Sequence, residues 1–231
     1  MKAKPATQLA SLVQQARRHG VRDEAVLAAI GSVPRQRFVP RRLAAAAYDD
    51  GPLPIGEGQT ISQPAMVAMM AESAQLRPDD SVLEVGSGSG YGALVLRALA
   101  GRVVTIERRP GLAEKARSAL AGHELGDVKV VVGDGTLGWP DDAPYDAIVV
   151  TAAGPAPPPP LLQQLAPGGR LVMPVGSRHR DQFLMRYTRP ATAEIGGNGS
   201  PILAEECRAE RLTAVRFVPL IGAHGFGSGR P

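Results

Sequence analysis

Eight residues, Glu84-Val85-Gly86-Ser87-Gly88-Ser89-Gly90-Tyr91, put an acid and three glycines between an apolar run and a stretch with helical spacing. Glycines at a strand-to-helix junction let the backbone turn sharply and bring a ligand close to main-chain N–H groups at the helix start. The acid selects the sign of that ligand. Glu84, two residues before Gly86, would repel a pyrophosphate but can hold a cationic or amino-bearing group. Two further acids close the next two apolar runs. Glu107, 21 residues after Gly86, is placed for two ribose hydroxyls, and Asp134, in Gly133-Asp134-Gly135, can meet an adenine amino group. An adenosine carrying a sulfonium and an amino-acid tail suits such an acid-rimmed crevice better than a dinucleotide does. A nicotinamide frame, Gly88-Ser89-Gly90-Tyr91-Gly92-Ala93, stays open as the alternative, with hydride transfer as its chemistry.

These residues need a scaffold that delivers strand ends to one place. Ser81–Val85, Val103–Glu107, Val128–Val132, Asp146–Thr151 and Arg170–Val175 are short apolar runs. Tyr91–Leu99, Gly111–Ala121 and Pro160–Leu165 alternate with them at helical spacing. Strands that are apolar throughout and alternate with helices belong in a parallel sheet covered on both faces. Phe183–Tyr187 and Ala214–Leu220 read as two more strands, joined without a crossover helix and able to form an antiparallel hairpin at one edge. Ahead of the sheet, Ala6–His19, Asp23–Ile30 and Pro64–Ala74 are predicted helices, while Tyr48–Gln59, rich in Gly and Pro, reads as an ordered loop or irregular edge. The stretch from 190 to 201, with Gly196, Gly197 and Gly199, reads as a surface loop, and the prolines between Pro155 and Pro160 as a stiff connector.

The glycine loop and its three acids resemble the cofactor site of class I S-adenosylmethionine-dependent methyltransferases. The upstream block narrows the resemblance. Tyr48-Asp49-Asp50-Gly51-Pro52-Leu53-Pro54-Ile55-Gly56-Glu57-Gly58-Gln59-Thr60-Ile61-Ser62-Gln63-Pro64 is similar to the signature of protein-L-isoaspartate O-methyltransferases, with matching segments at Val33–Pro40, Gly133–Gly138, Pro144–Ala153, Gln164–Gly176 and Val215–Leu220. The resemblance implies an α/β Rossmann-like fold: a mostly parallel, doubly wound sheet with an antiparallel edge and an N-terminal helical extension. It spans one domain, 1–231, divided into acceptor-side helices and loop (1–75), cofactor core (76–176) and edge strands with tail (177–231). It implies S-adenosyl-L-methionine as cofactor and S-adenosyl-L-homocysteine as product. Ser62 is implied as the active-site residue, and Gln59, Thr60, Ile61, Ser62, Gly86, Glu107, Asp134 and Gly135 as cofactor contacts, alongside Glu84, Ser87, Gly88 and Gly90 of the loop itself. The implied acceptors are isoaspartyl-containing proteins and peptides, bordered by Val215–Leu220 and by Pro54–Gly58. The isoaspartyl carboxylate is already a nucleophile at neutral pH, so no strong base is required and alignment carries the reaction. Ser62 then orients the acceptor or organises its loop; capping the helix that starts at Pro64 is a compatible second role. It lacks a G-x-S-x-G setting, and no histidine pattern ties His19, His123, His179 or His224 to it, so an acyl nucleophile is not expected.

Composition bounds the rest. The 231 residues carry a formal charge of +4, distributed as +7 over residues 1–47, −7 over 48–169 and +4 over 170–231. The acidic centre is the cofactor half, and the basic ends could attract an acidic peptide at low salt. After the fourth strand the chain reads Thr151-Ala152-Ala153-Gly154-Pro155, without the Asn/Asp-Pro-Pro-aromatic motif that holds a flipped base, so no nucleic-acid partner is expected. A single cysteine, Cys207, excludes an intrachain disulfide, and no Cys/His cluster has metal-ligand spacing. No apolar run reaches the length of a membrane span, and residues 1–20 lack a signal-peptide core, so a soluble cytoplasmic monomer is the default. Two other readings of the same cofactor site stay open: methylation of one dedicated peptide carboxylate or another acceptor, and cofactor binding without turnover.

Overall fold

The computed structural model describes residues 5–125, 127–178, 180–191 and 203–227. The N-terminal part holds α1 (Pro5–Arg18), α2 (Glu24–Ser32), the strands β1 (Leu53–Gly56) and β2 (Gln59–Ile61), and α3 (Pro64–Ala74). The sheet region follows as β3 (Ser81–Val85), α4 (Tyr91–Arg97), β4 (Arg102–Glu107), α5 (Pro110–Leu120), β5 (Lys129–Val132), β6 (Tyr145–Val150), α6 (Pro159–Gln163), β7 (Leu165–Val175), β8 (Gln182–Thr188) and β9 (Arg208–Val215). Seven strands form one sheet in the order β5-β4-β3-β6-β7-β8-β9. β3 to β7 are parallel, and β8 and β9 run antiparallel at the edge, as the run of apolar segments predicts.

Strand periodicity sorts the core into two layers. Val82, Val103, Ala147, Val149, Val172 and Leu184 face one way and join a cluster continuous with Leu12, Val26, Leu27 and Ile30 of the first two helices. Leu83, Val104, Ile106, Ile148, Val150 and Leu171 face the other way, against Leu161 and Leu162 of α6. The N-terminal helices thus share the sheet's own core. Asp23 caps α2, accepting from the N–H groups of Ala25 (2.8 Å) and Val26 (3.2 Å).

Three sequence readings change in the structure. The 48–59 stretch contains a hairpin, because Glu57 (φ +51) and Gly58 (φ +70) make a two-residue turn of the kind that matches strand twist. The last strand is Arg208–Val215, not Ala214–Leu220. Gln182 ends the ladder by bracketing Phe217, accepting from its N–H (2.7 Å) and donating to its carbonyl (3.3 Å). The chain then crosses to the end of β6, where Ala153 N–H donates to Val218 (2.8 Å) and Leu220 N–H to Ala153 (2.7 Å). The exposed charges of Arg208 and Arg211 hid the true strand, since only one face of this edge is covered. Third, Ser62 does not cap α3. Gln63 occupies that position without a side-chain bond. The glycine-rich stretch at 196–199 and the last residues of the tail lie outside the described residues. Among the described residues no helix is long and apolar enough to cross a membrane, and Cys207 is a buried free thiol raised above its ordinary pKa by burial and by Glu206.

Arg170 ties α3 to the sheet. Its guanidinium donates to the carbonyls of Ala74 (2.9 Å) and Gln75 (2.8 Å) and pairs with Asp80 (2.9 Å), with both side chains largely buried. Breaking a buried pair leaves an uncompensated charge, so Arg170→Ala is expected to cost about 3 kcal/mol. Urea denaturation checks this through a lower midpoint at unchanged slope; an unmoved midpoint contradicts it.

Candidate active site

All parallel strands end on one side of the sheet. The chain runs from β3 outward to β4 and β5, then returns to β6 on the other flank, so the connections part between the ends of β3 and β6. Open sheets bind ligands at such a switch point. Here the crevice has a volume of about 390 Å³, within the usual small-molecule range of about 300–1,000 Å³. It gathers Gln59, Thr60, Ile61 and Ser62 from β2 and its exit, and Glu84, Gly86, Ser87 and Gly88 from β3 and its loop. Glu107 of β4 and Gly135 complete the set. Gly90 and Asp134 stand behind this lining. Gly90, the N-cap of α4, packs on Leu120 and Ala116 of α5, which also removes the second glycine of the nicotinamide frame from the crevice.

The loop is shaped by backbone bonds. Gly86 N–H and Ser87 N–H both donate to Ile106 (2.8 and 3.2 Å), and Gly90 N–H donates to Ser87 (2.7 Å). Gly86 has φ +100, and its Cα faces Thr151, whose hydroxyl donates to the carbonyls of Val85 (3.1 Å) and Gly86 (2.9 Å). A side chain at this position would displace that hydroxyl.

Glu84 pairs in register with Thr105, and both point to the face of Val82 and Val103. Thr105 Oγ1 donates to Glu84 Oε2 (2.5 Å) and is itself bonded to Ser87 Oγ (2.7 Å). Glu84 Oε1 lies against Gly92 and has no hydrogen-bond partner among the described residues. The carboxyl is 1% exposed, and burial pushes its pKa up to about 8; the Thr105 bond opposes the shift and the charge of Glu107 adds to it. A buried carboxylate with one bare oxygen at a crevice wall can receive a cation, the kind of ligand the sequence reading expects at Glu84. Glu107 is buried at the end of β4, accepting from Gly88 N–H (3.0 Å) through Oε2 and Arg109 N–H (3.0 Å) through Oε1. These bonds fix its plane and leave lone pairs toward the crevice for hydroxyl donors.

Asp134 has a different environment. Oδ1 accepts from Thr136 N–H (2.9 Å) and Thr136 Oγ1 (2.7 Å), and Oδ2 accepts from Ala223 N–H (2.7 Å). Burial raises its pKa, but these bonds and the charge of Arg108 more than offset it, so the carboxyl lies below its ordinary value. His224 N–H donates to Thr136 Oγ1 (3.1 Å), so the tail is clasped along this turn. A Cβ on Gly222 would run into the Asp134 carboxylate.

Ser62 is half-buried at the crevice, and its Oγ has no hydrogen-bond partner among the described residues. The sequence reading missed Arg108, Arg109, Thr151 and Ile221 as lining residues. Val218–Leu220, expected in an edge strand, form the wall beside Thr151 and Ala152. The resemblance had Val215–Leu220 bordering the acceptor as a strand; the structure brings Val218–Leu220 to the crevice through the crossing to Ala153 instead.

A family model described as protein-L-isoaspartate(D-aspartate) O-methyltransferase matches residues 7–225. Protein-L-isoaspartate O-methyltransferase 1 of Rhodopseudomonas palustris (strain HaA2) is 53% identical over 220 residues, covering 95% of this chain and 85% of its own. The protein of the same name from Geotalea uraniireducens (strain Rf4) is 53% identical over 207 residues, covering 90% of this chain and 89% of its own. A solved protein-L-isoaspartate O-methyltransferase superposes with a TM-score of 0.78 at 27% identity, over 94% of this chain and 67% of that one. A Plasmodium falciparum structure in complex with S-adenosyl-L-homocysteine gives 0.75 at 22% identity, over 95% of this chain and 99% of that one, a likeness of fold.

Two outcomes follow from this geometry. Between its unfolded value near 4.5 and its folded value near 8, Glu84 binds a proton in the native state that the unfolded chain releases. Stability of the ligand-free protein therefore falls as pH rises through that window. Glu84→Gln should flatten the decline in Tm from about pH 5 to about pH 8, and an unaltered slope contradicts the assignment. Gly222→Ala should break the clasp on Asp134. With about 1 kcal/mol lost per bond, exchange at the Ala223 and His224 amides should accelerate by about fivefold, and unchanged protection would argue against the clasp.

Proposed function

Because the chain belongs to the protein-L-isoaspartate(D-aspartate) O-methyltransferase family, we propose that the crevice between β3 and β6 is where its methyl transfer takes place. The enzyme is an S-adenosyl-L-methionine-dependent protein repair methyltransferase that esterifies the α-carboxylate of L-isoaspartyl residues in proteins and peptides. The observation that carries the site is the convergence of the Gln59–Ser62 segment with buried Glu84 and Glu107 on one cavity.

When bound, S-adenosylmethionine supplies a methyl carbon on a sulfonium leaving group. The chain's own residues do the rest. The Gly86–Gly88 backbone gives close approach, Glu84 balances positive charge, and Glu107 accepts from hydroxyls. Ser62, with an unengaged hydroxyl, donates to the acceptor carboxylate and fixes the line of attack. Val218–Ile221 and the Gly58–Ser62 segment line the same crevice, and the reading places an extended peptide against them, held largely through backbone groups. Excluding water from the carboxylate and aligning it with the methyl carbon supply the acceleration, since orientation alone is worth roughly 7–11 kcal/mol in favourable cases. Asp134, behind the lining, acts through the tail that it clasps, whose Ile221 lines the crevice.

The ester then reacts without help. The following backbone nitrogen attacks the ester carbonyl, methoxide leaves with a proton as methanol, and the succinimide opens with water to aspartyl or isoaspartyl product. An isoaspartyl peptide incubated with methyl-labelled cofactor should therefore release labelled methanol and accumulate aspartyl peptide; label retained on the peptide as a stable adduct would contradict the reading. Ser62→Ala should lower kcat by about tenfold to a hundredfold while S-adenosyl-L-homocysteine affinity changes by less than about threefold. Unchanged turnover would remove Ser62 from the reaction.

A further inference from the structure

Among the described residues Arg35 is the largest fully buried side chain, at 0% exposure, and its hydrogen-bond partners include no carboxylate. A guanidinium out of water needs acceptors or it is costly. Here the acceptors are three backbone carbonyls. Nη1 donates to Ala47 (2.7 Å), while Nη2 donates both to Gly51 (3.0 Å) and to Ser62 (2.9 Å). Gly51 and Ser62 flank the β1–β2 hairpin on its two sides, so one nitrogen pinches the base of that hairpin. The guanidinium carbon also sits 6.0 Å from the centre of the Tyr91 ring, and Tyr91 starts α4 at the end of the cofactor loop. Phe38, from the same short 35–38 turn, meets that ring edge-on at 5.7 Å.

The far end of the hairpin is anchored as well. Ile55 lies against Gly88, and the Glu57 carboxylate reaches Gly111 at the start of α5 and the Arg109 guanidinium (3.7 Å). The hairpin therefore spans from Arg35 at its base to α5 at its tip, carrying Gly58–Ser62 along the crevice.

Resting on the functional reading above, we propose that Arg35 is a positioning residue for methyl transfer: by gripping Gly51 and Ser62 together with its charge over the Tyr91 ring, it sets the place of the acceptor-side segment relative to the cofactor loop. It touches neither substrate nor cofactor. Its action passes through the Ser62 carbonyl, three bonds away from the Cβ that carries the crevice hydroxyl. Lysine cannot substitute, because a single ammonium cannot reach Ala47, Gly51 and Ser62 with the spread of a guanidinium fork.

The test compares the full-length wild type, Arg35→Lys and Arg35→Ala. In Arg35→Lys, kcat on an isoaspartyl peptide should fall by about a hundredfold, the loss expected from a misplacement of about 1 Å. Binding of S-adenosyl-L-homocysteine should weaken by about tenfold at most, clearly less than the fall in kcat, because Glu84 and Glu107 on β3 and β4 stay in place while only the Gln59–Ser62 side of the crevice moves. Hydrogen exchange should quicken in residues 51–62 while Val82–Val85 stay protected. In Arg35→Ala, guanidinium ion at sub-denaturing concentration should restore part of kcat where sodium chloride does not. If the alanine variant does not fold, the lysine variant decides. A lysine variant with kcat within about threefold of wild type, or with equal losses of turnover and cofactor affinity, or with unchanged exchange at 51–62, overturns the proposal. If the wild type methylates no isoaspartyl peptide, the functional reading fails on its own, and the exchange difference still decides whether Arg35 holds the segment.

Discussion

A carboxylate buried at the end of a parallel strand organises this protein. Glu84 sits where water cannot solvate it, with one oxygen bonded to Thr105 and the other bare at the crevice. Such a group is stable ionised only if a cation is brought to it, and otherwise it keeps a proton. The hydrophobic strands around it make the low-dielectric wall, the register with β4 supplies the single hydroxyl, and the glycine at 92 gives the carboxylate room. Stability and ligand choice thus meet in one residue on the reading proposed above: what is a liability in the ligand-free fold would favour a positively charged cofactor.

Around that point the fold assembles two walls from segments far apart in sequence. One is the β1–β2 hairpin, whose base is set by buried Arg35 and whose tip rests on α5. The other is the chain after β9, turned aside by Gln182 and fixed to Ala153 and Asp134. Methyl transfer to a carboxylate needs little acid–base chemistry, so these walls matter more than any single reactive group. Their rigidity is the catalytic resource, since in-line geometry must be held while water is excluded.

How much of this could be read from the sequence depended on whether the signal was local. Glu84, Gly86 and Glu107 were legible because each lies at a fixed offset from an apolar run, and strand periodicity alone delivers them to one edge. The parallel core and the antiparallel edge followed for the same reason. Thr105 was not legible, because its value comes from standing opposite Glu84 across a strand pair. Arg35 lay inside a motif that could be seen, yet nothing local reveals that it bonds carbonyls up to 27 residues away. The tail was misassigned as strand since its apolar alternation continues past Val215, while its course is decided by the Gln182 side chain and by contacts with Asp134. Ser62 was expected at the active site with a cap on α3 as a compatible second role; the structure puts its hydroxyl at the crevice and gives the cap position to Gln63.

The central claim is that this crevice recognises a displaced carboxylate at an isoaspartyl linkage. Two peptides identical except for an aspartyl or isoaspartyl bond at one position, each presented with methyl-labelled S-adenosylmethionine, test it most directly. The account predicts methyl incorporation into the isoaspartyl peptide at a kcat/KM at least about a hundredfold above that of its aspartyl twin, the scale of discrimination that orientation supplies. Equal labelling of the two peptides, or none on the isoaspartyl one, would contradict it.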